Sequence, residues 1–232
     1  MIIVGHRGIA GHQPENTRAS IEAAIELGLE WIEVDIQPSK DDVLVVCHDH
    51  TVDRCSNGIG RVDQLSLAEL KQLNFAHNYP TCSHQPIMTL QELLVLATEH
   101  SVSLNLEVKI DRHDPERVTQ LVAKELERSQ MPKEKILFSS FNHQVIRHLR
   151  KQFPVHAIAV LSERLRKKDR QLLEEAQAVG CNLNYLWTSK RQVASLQKLG
   201  FKVWCYTVNN PNRLKHLNNL DGIFSDYPDR FL

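Results

Sequence analysis

The sequence predicts one α/β chain folded as a (β/α)₈ TIM barrel, with a β-hairpin arm and a small cap inserted after strand 2, and three observations predict it. Short β-branched runs alternate with helix-like stretches almost throughout, the pattern of parallel βαβ construction. About eight such units fit into the chain, and an open doubly wound sheet usually has fewer; it would also carry a Gly-rich GxGxxG turn after its first strand, which is missing. A fold of 232 residues buries roughly 70–75% of the surface of its unfolded chain, enough for one large core. Residues 1–232 are therefore expected to form a single barrel, with the insertion at approximately 50–88.

Candidate strands begin at Ile2, Trp31, Ser103, Lys135, His156, Cys181, Lys202 and Asp221. Gly28, Gly180 and Gly200 each follow an apolar-periodic helix and precede a strand, where a left-handed residue closes a helix. Ser66 with Glu69, Thr89 with Glu92 and Ser189 with Gln192 have capping-box spacing and mark helix starts. Two features break the alternation. Only PSKDD separates the strand Trp31–Gln37 from VLVVCHD, whereas a parallel crossover needs about a dozen residues or more, so the second run returns antiparallel. That hairpin carries His48 back toward Glu33 and Asp35. Residues 50–88, polar and with one helix expected from Ser66 to Leu73, read as a cap over the barrel mouth.

Lys+Arg 28 balances Asp+Glu 28, so no bulk charge draws the chain to nucleic acid or an anionic membrane. The five cysteines, Cys47, Cys55, Cys82, Cys181 and Cys205, form no CxxC pair, which argues against a disulfide framework or zinc knuckle and for a reducing compartment. The opening MIIVGHRG is too short for a signal-peptide core and no run approaches a membrane span. A soluble, cytoplasmic protein is expected.

Parallel barrel strands are buried on both faces and should be continuously apolar, but two are not. In WIEVDIQ, Glu33 and Asp35 share one face while Ile32, Val34 and Ile36 take the other; in SLNLEVK, Asn105, Glu107 and Lys109 oppose Leu104, Leu106 and Val108. With the apolar faces against outer helices, three carboxylates point inward near the C-terminal mouth, where such barrels hold their active sites. Like charges about 4 Å apart repel by roughly 4 kcal/mol at an effective dielectric of 20, so the group demands protonation or a shared cation. An oxygen-only set favours a hard divalent ion, Mg²⁺ or Ca²⁺, with Mn²⁺ as a further candidate. His6 and Arg7 end the first strand and His48 arrives from the hairpin. Two imidazoles can divide base and acid duties near neutral pH, and Arg7 and Lys109 suit an anionic group such as a phosphodiester.

These residues sit within ordered motifs: HRG at 6–8, PENT at 14–17, EVD at 33–35, HD at 48–49, LEVK at 106–109, SSF at 139–141, YTVN at 206–209 and DGIFSDYP at 221–228. In that order and spacing the chain resembles the glycerophosphodiester phosphodiesterases, of the cytosolic bacterial type. The resemblance implies a barrel with an insertion after the hairpin, a divalent ion on Glu33, Asp35 and Glu107, catalysis by His6 and His48, and substrate phosphate at Arg7 and Lys109. Tyr206 and Ser225 stand where many relatives carry Trp and Thr. The expected reaction has the glycerol 2-hydroxyl, deprotonated by one histidine, attack phosphorus while His48 protonates the leaving alcohol; water then opens the cyclic phosphate.

Each residue also has a plainer explanation. Glu107 and Lys109 alone would be a buried ion pair, and a lone His6 a core histidine; the neighbouring acids and motifs argue otherwise. Asn16 is either the N-cap of the first helix or a substrate contact. Tyr206 is a further substrate-binding candidate, Trp204 and Phe141 are pocket walls or core, and RLRKKDR at 164–170 is a solvated helix start or a surface for an anionic partner. The remaining histidines, among them His50, His77, His84, His100 and His113, are assigned to solvent or local hydrogen bonds. The competing activities are a lysophospholipase D or phosphoinositide phospholipase C on the same barrel, a barrel that only binds phosphoesters, and an amidohydrolase, for which HRG lacks the His-x-His pair.

Overall fold

The computed structural model describes residues 1–217 and 219–232. Eight parallel strands form the barrel: β1 (Ile2–His6), β2 (Trp31–Pro38), β4 (Ser103–Val108), β5 (Ile136–Ser140), β6 (Ala157–Ser162), β7 (Gly180–Asn184), β8 (Lys202–Tyr206) and β9 (Gly222–Ser225). β1 pairs with both β9 and β2, which closes the sheet. The short β3 (Leu44–Val46) pairs antiparallel with β2, Ile36 opposite Val46 and Pro38 opposite Leu44, as a five-residue spacer requires. Among the described residues, no helix is long and apolar enough to cross a membrane.

The outer layer is α1 (Arg18–Glu26), α3 (Leu90–Glu99), α4 (Pro115–Glu127), α5 (His143–Gln152), α6 (Lys167–Glu175) and α7 (Lys190–Lys198), with α2 (Leu67–Leu70) in the insertion. Ser66, Thr89 and Ser189 all form the capping boxes their spacing predicts, before α2, α3 and α7. Among the described residues, the crossover between β8 and β9 holds a 3₁₀ helix, Pro211–His216, and no α-helix.

Two details differ from the sequence reading. Gly28 and Gly200 do close helices at φ 82° and 87°, but the left-handed residue after α6 is Gln177, at φ 46°. Gly180 instead opens β7, where a Cβ would meet the Lys202 carbonyl oxygen at 2.1 Å, so its smallness serves strand-to-strand approach. The insertion's α-helix is also shorter than 66–73, because after Leu70 the backbone bonding tightens to i→i+3 turns, from the Gln72 amide to the Glu69 carbonyl and from the Leu73 amide to the Leu70 carbonyl.

The alternation in β2 and β4 partitions the core. Ile32, Val34, Ile36, Leu104, Leu106 and Val108 are fully buried and join the apolar layer between sheet and helices. Inside the barrel, Val4, Leu137, Ala159, Trp204 and Phe224 plug the N-terminal end. Val45, Cys47, Val52, Val62, Leu70, Phe75 and Ile87 make a separate small core that ties the insertion to the hairpin.

Phe138 on β5 is fully buried in the sheet–helix layer, with the Phe153 ring centroid 4.7 Å away. Phe138→Ala is expected to lower unfolding free energy by about 3–5 kcal/mol, read as a shifted urea midpoint at unchanged slope.

Candidate active site

At the end of β1 the backbone turns sharply: Arg7 and Gly8 both have positive φ, 53° and 87°. A Cβ on Gly8 would lie 2.3 Å from Ser20 Oγ, so only glycine fits there. Ser20 Oγ donates to the Arg7 carbonyl at 2.9 Å and accepts from the Ile9 amide at 2.9 Å, so the first turn of α1 locks this loop. The loop thereby holds the Arg7 amide on Glu33 Oε2 at 3.1 Å and its guanidinium on Glu15 at 2.8 Å and Asp35 at 3.3 Å.

Parallel pairing of β2 and β4 sets Asp35 opposite Glu107 and Glu33 opposite Asn105. One oxygen each of Glu33, Asp35 and Glu107 consequently lies within 4.8 Å of the others. Lys109 Nζ sits 3.1 Å from Glu107 and 3.4 Å from Asp35. Three carboxylates thus face two cations. Burial works against charge on Asp35, but Lys109 and Arg7 outweigh it and hold the carboxyl down at about 2. Burial and the Asp35 charge push Glu107 up to about 7, and burial with both neighbouring acids raises Glu33 well above the usual carboxylate range. Glu33 Oε1 is buried with no hydrogen-bond partner. A crowded, under-neutralised oxygen set with an unpartnered atom fits a divalent cation.

The two imidazoles are held alike. His6 Nδ1 is 2.6 Å from Asp226 Oδ1, and His48 Nδ1 is 2.6 Å from Asp49 Oδ1, leaving each Nε2 for other work. His6 Nε2 lies 3.8 Å from Glu33. Asn209 anchors Asp226 through two hydrogen bonds, at 2.7 and 2.9 Å, while Arg54 binds both Asp49 and Glu15. Burial draws the His48 imidazole below its ordinary pKa.

His6, Arg7, Glu33, His48 and Glu107 surround a cavity of about 190 Å³ whose other walls include Asn105, Phe141, Asn182 and Tyr206. Of the sequence-predicted residues, His6, Arg7, Glu33, His48, Glu107 and Tyr206 line it; Asp35 adjoins them through its contacts with Arg7 and Lys109, and Lys109 borders a neighbouring cavity with Glu107. Asn16 does not line this cavity, and the N-cap of α1 is Thr17; the Asn16 amide instead donates to Asp35 Oδ2 at 2.9 Å, from a left-handed backbone at φ 59°. Trp204 lies beneath, in the barrel plug, while Phe141 is a wall. His50 meets Gln37 at 3.2 Å and His143 meets Asp169 at 2.8 Å, local partners in both cases. The insertion, expected over the mouth, supplies no lining residue among those described. Its apolar side chains pack on β3, and Arg54 braces the rim through Glu15 and Asp49. Sequence reasoning missed Asp226, Asp49 and Asn182. Both aspartates stand inside quoted motifs, but Asp226 reaches His6 across 220 residues, a contact only barrel closure reveals.

The family model described as "Glycerophosphoryl diester phosphodiesterase family" matches residues 6–230. A glycerophosphodiester phosphodiesterase of Bacillus altitudinis is 32% identical over 234 residues, covering 98% of this chain and 95% of that one. Another, from Caldanaerobacter subterraneus, is 29% identical, with 100% and 96% covered. Among solved structures, an Oleispira antarctica phosphodiesterase in complex with the product sn-glycerol-3-phosphate superposes with a TM-score of 0.91 at 30% identity, covering 99% of this chain and 94% of that one.

A carboxyl whose pKa is higher folded than unfolded stabilises the fold fully below its unfolded value and progressively less as pH rises toward the folded one. For Glu107 that window runs from 4.5 to about 7. In chelator, the wild type is expected to lose stability relative to Glu107→Gln across this range, by up to a few (~3) kcal/mol, in urea titrations at stepped pH.

Proposed function

The chain belongs to the glycerophosphoryl diester phosphodiesterase family, and from that premise we propose that it hydrolyses glycerophosphodiesters to glycerol 3-phosphate and an alcohol using one divalent cation and two histidines. The observation that carries this is a cluster of three carboxylates held by Arg7 and Lys109, set beside a cavity that two imidazoles line, each oriented by an aspartate. The product complex of the Oleispira phosphodiesterase supports the same product class.

Glu33, Asp35 and Glu107 would hold Mg²⁺, Ca²⁺ or Mn²⁺, which when bound supplies positive charge for the phosphoryl oxygens as negative charge builds there. Arg7 and Lys109 complement the same phosphate from opposite sides of Asp35. His6, its Nδ1 held by Asp226, accepts at Nε2 the proton of the glycerol 2-hydroxyl as that oxygen attacks phosphorus. His48, held by Asp49, gives a proton from Nε2 to the departing alcohol. Burial disfavours the charged form of His48 in the free site, and the arriving phosphodiester anion favours it, so His48 takes up its proton as substrate binds. The cyclic phosphate is then opened by water with the two roles exchanged, giving glycerol 3-phosphate. Asn16 acts by holding Asp35 in place.

Two outcomes test this. Glycerol 3-phosphate release from a panel of head groups is expected to need added divalent ion, and activity surviving thorough chelation would overturn the metal assignment. His6→Ala and His48→Ala are each expected to lower kcat by roughly 10²–10⁴, with unchanged rates in both overturning the proton transfers.

A further inference from the structure

A charged cavity of about 330 Å³ adjoins the one that His6 and His48 line, and the two share Phe141 and Leu161 as walls. Arg164, Arg166 and Lys168, all exposed, line it with Glu163 and Asp169. They belong to the RLRKKDR run, which the barrel core does not explain. Asp169 is spent within the protein: it accepts from Ser162 Oγ at 2.9 Å and from the Arg166 amide at 2.7 Å, and it lies 2.8 Å from His143 Nε2. Among the described residues the ion pair of this cavity is that of His143 with Asp169, and Arg164, Arg166 and Lys168 form none, with Glu163 or any other acid. Arg164 is nevertheless held in place, its guanidinium carbon 3.6 Å from the centre of the exposed Trp187 ring. A flat cation fixed on a ring and lacking a counter-ion is a binding group already oriented.

We infer that this cavity receives the leaving alcohol, and that Arg164, Arg166 and Lys168 bind a second phosphate carried on that alcohol. The inference rests on the reaction proposed above and concerns the half of the substrate that departs. Because the two cavities share walls, a diester with its phosphate at Arg7 and Lys109 can extend its alcohol past Phe141 into the charged space. Two guanidinium forks and one ammonium suit a phosphate, which offers several oxygens and up to two negative charges. An ammonium head group would meet like charge there instead. The chain as a whole carries a formal charge of +0, so this excess of cations is local and acts over about a Debye length of 10 Å rather than drawing in long polyanions. Contacts between exposed charges are individually modest, so discrimination comes from the three cations together.

The test uses diesters of glycerol 3-phosphate with 1,3-propanediol or 1,6-hexanediol, each with and without a phosphate on the far hydroxyl. The metal-loaded wild type is expected to favour the phosphorylated alcohol by about tenfold in kcat/KM at one length or both, and less so as salt rises from about 0.05 to about 0.5 M. In the double variant Arg164→Ala/Lys168→Ala that ratio is expected to fall to about one. The ratio does not depend on the fraction of folded enzyme. A wild-type ratio near one at both lengths, a ratio that salt leaves unmoved, or one that persists in the double variant overturns the subsite. If the wild type cleaves none of the diesters, the reaction assigned above fails instead, and calorimetry of the intact diesters decides the subsite. Tighter binding of the phosphorylated diester, lost in the double variant, upholds it, and equal binding overturns it.

Discussion

The mutual repulsion of Glu33, Asp35 and Glu107 is the constraint around which the rest of the molecule is arranged. Three acids this close and this buried cannot all be charged without compensation, and Arg7 and Lys109 supply only two positive charges. The compensation is divided unevenly. Asp35 lies between both cations and stays ionised, while Glu33 and Glu107 are driven toward protonation. Such a site is poorly satisfied as it stands, and that same deficit makes it receptive to a cation and then to a phosphate. Asn16, Glu15 and the Gly8 turn are spent on keeping Arg7 and Asp35 in register, since a small outward shift of either would relax the cluster and weaken its pull.

Holding this strain requires a rigid frame, and each strand supplies both frame and site. Outward residues of β2 and β4 are fully buried against the helices, and inward residues carry the acids. The register between these strands fixes the carboxylate separation, and the helix–sheet core fixes the register. A slip by one residue would exchange the two faces and put glutamates into the apolar layer, so the stability of the fold enforces the geometry of the site.

Most of the architecture was legible because period-two alternation and capping spacing are local. The strands begin within a residue of their expected positions, and Ser66, Thr89 and Ser189 cap as predicted. The hairpin was legible for a related reason: five residues cannot span a parallel crossover. What escaped depends on closure. The Asp226–His6 contact joins the two ends of the chain, and the Asn16–Asp35 contact needs a left-handed turn that an Asn in PENT does not announce. Gly180 shows the same limit, since a glycine after a helix can serve the helix end or the approach of two strands, and only the neighbouring strand decides.

The insertion shows why a long loop need not govern the substrate. Its apolar residues are consumed by a small core against β3, and its polar contribution, Arg54, is engaged by Glu15 and Asp49 at the rim. It steadies His48 through Asp49 without touching the cavity floor. The cavity walls come instead from the barrel strands, among them Asn105, Asn182 and Tyr206 on β4, β7 and β8, whose places the closed sheet fixes.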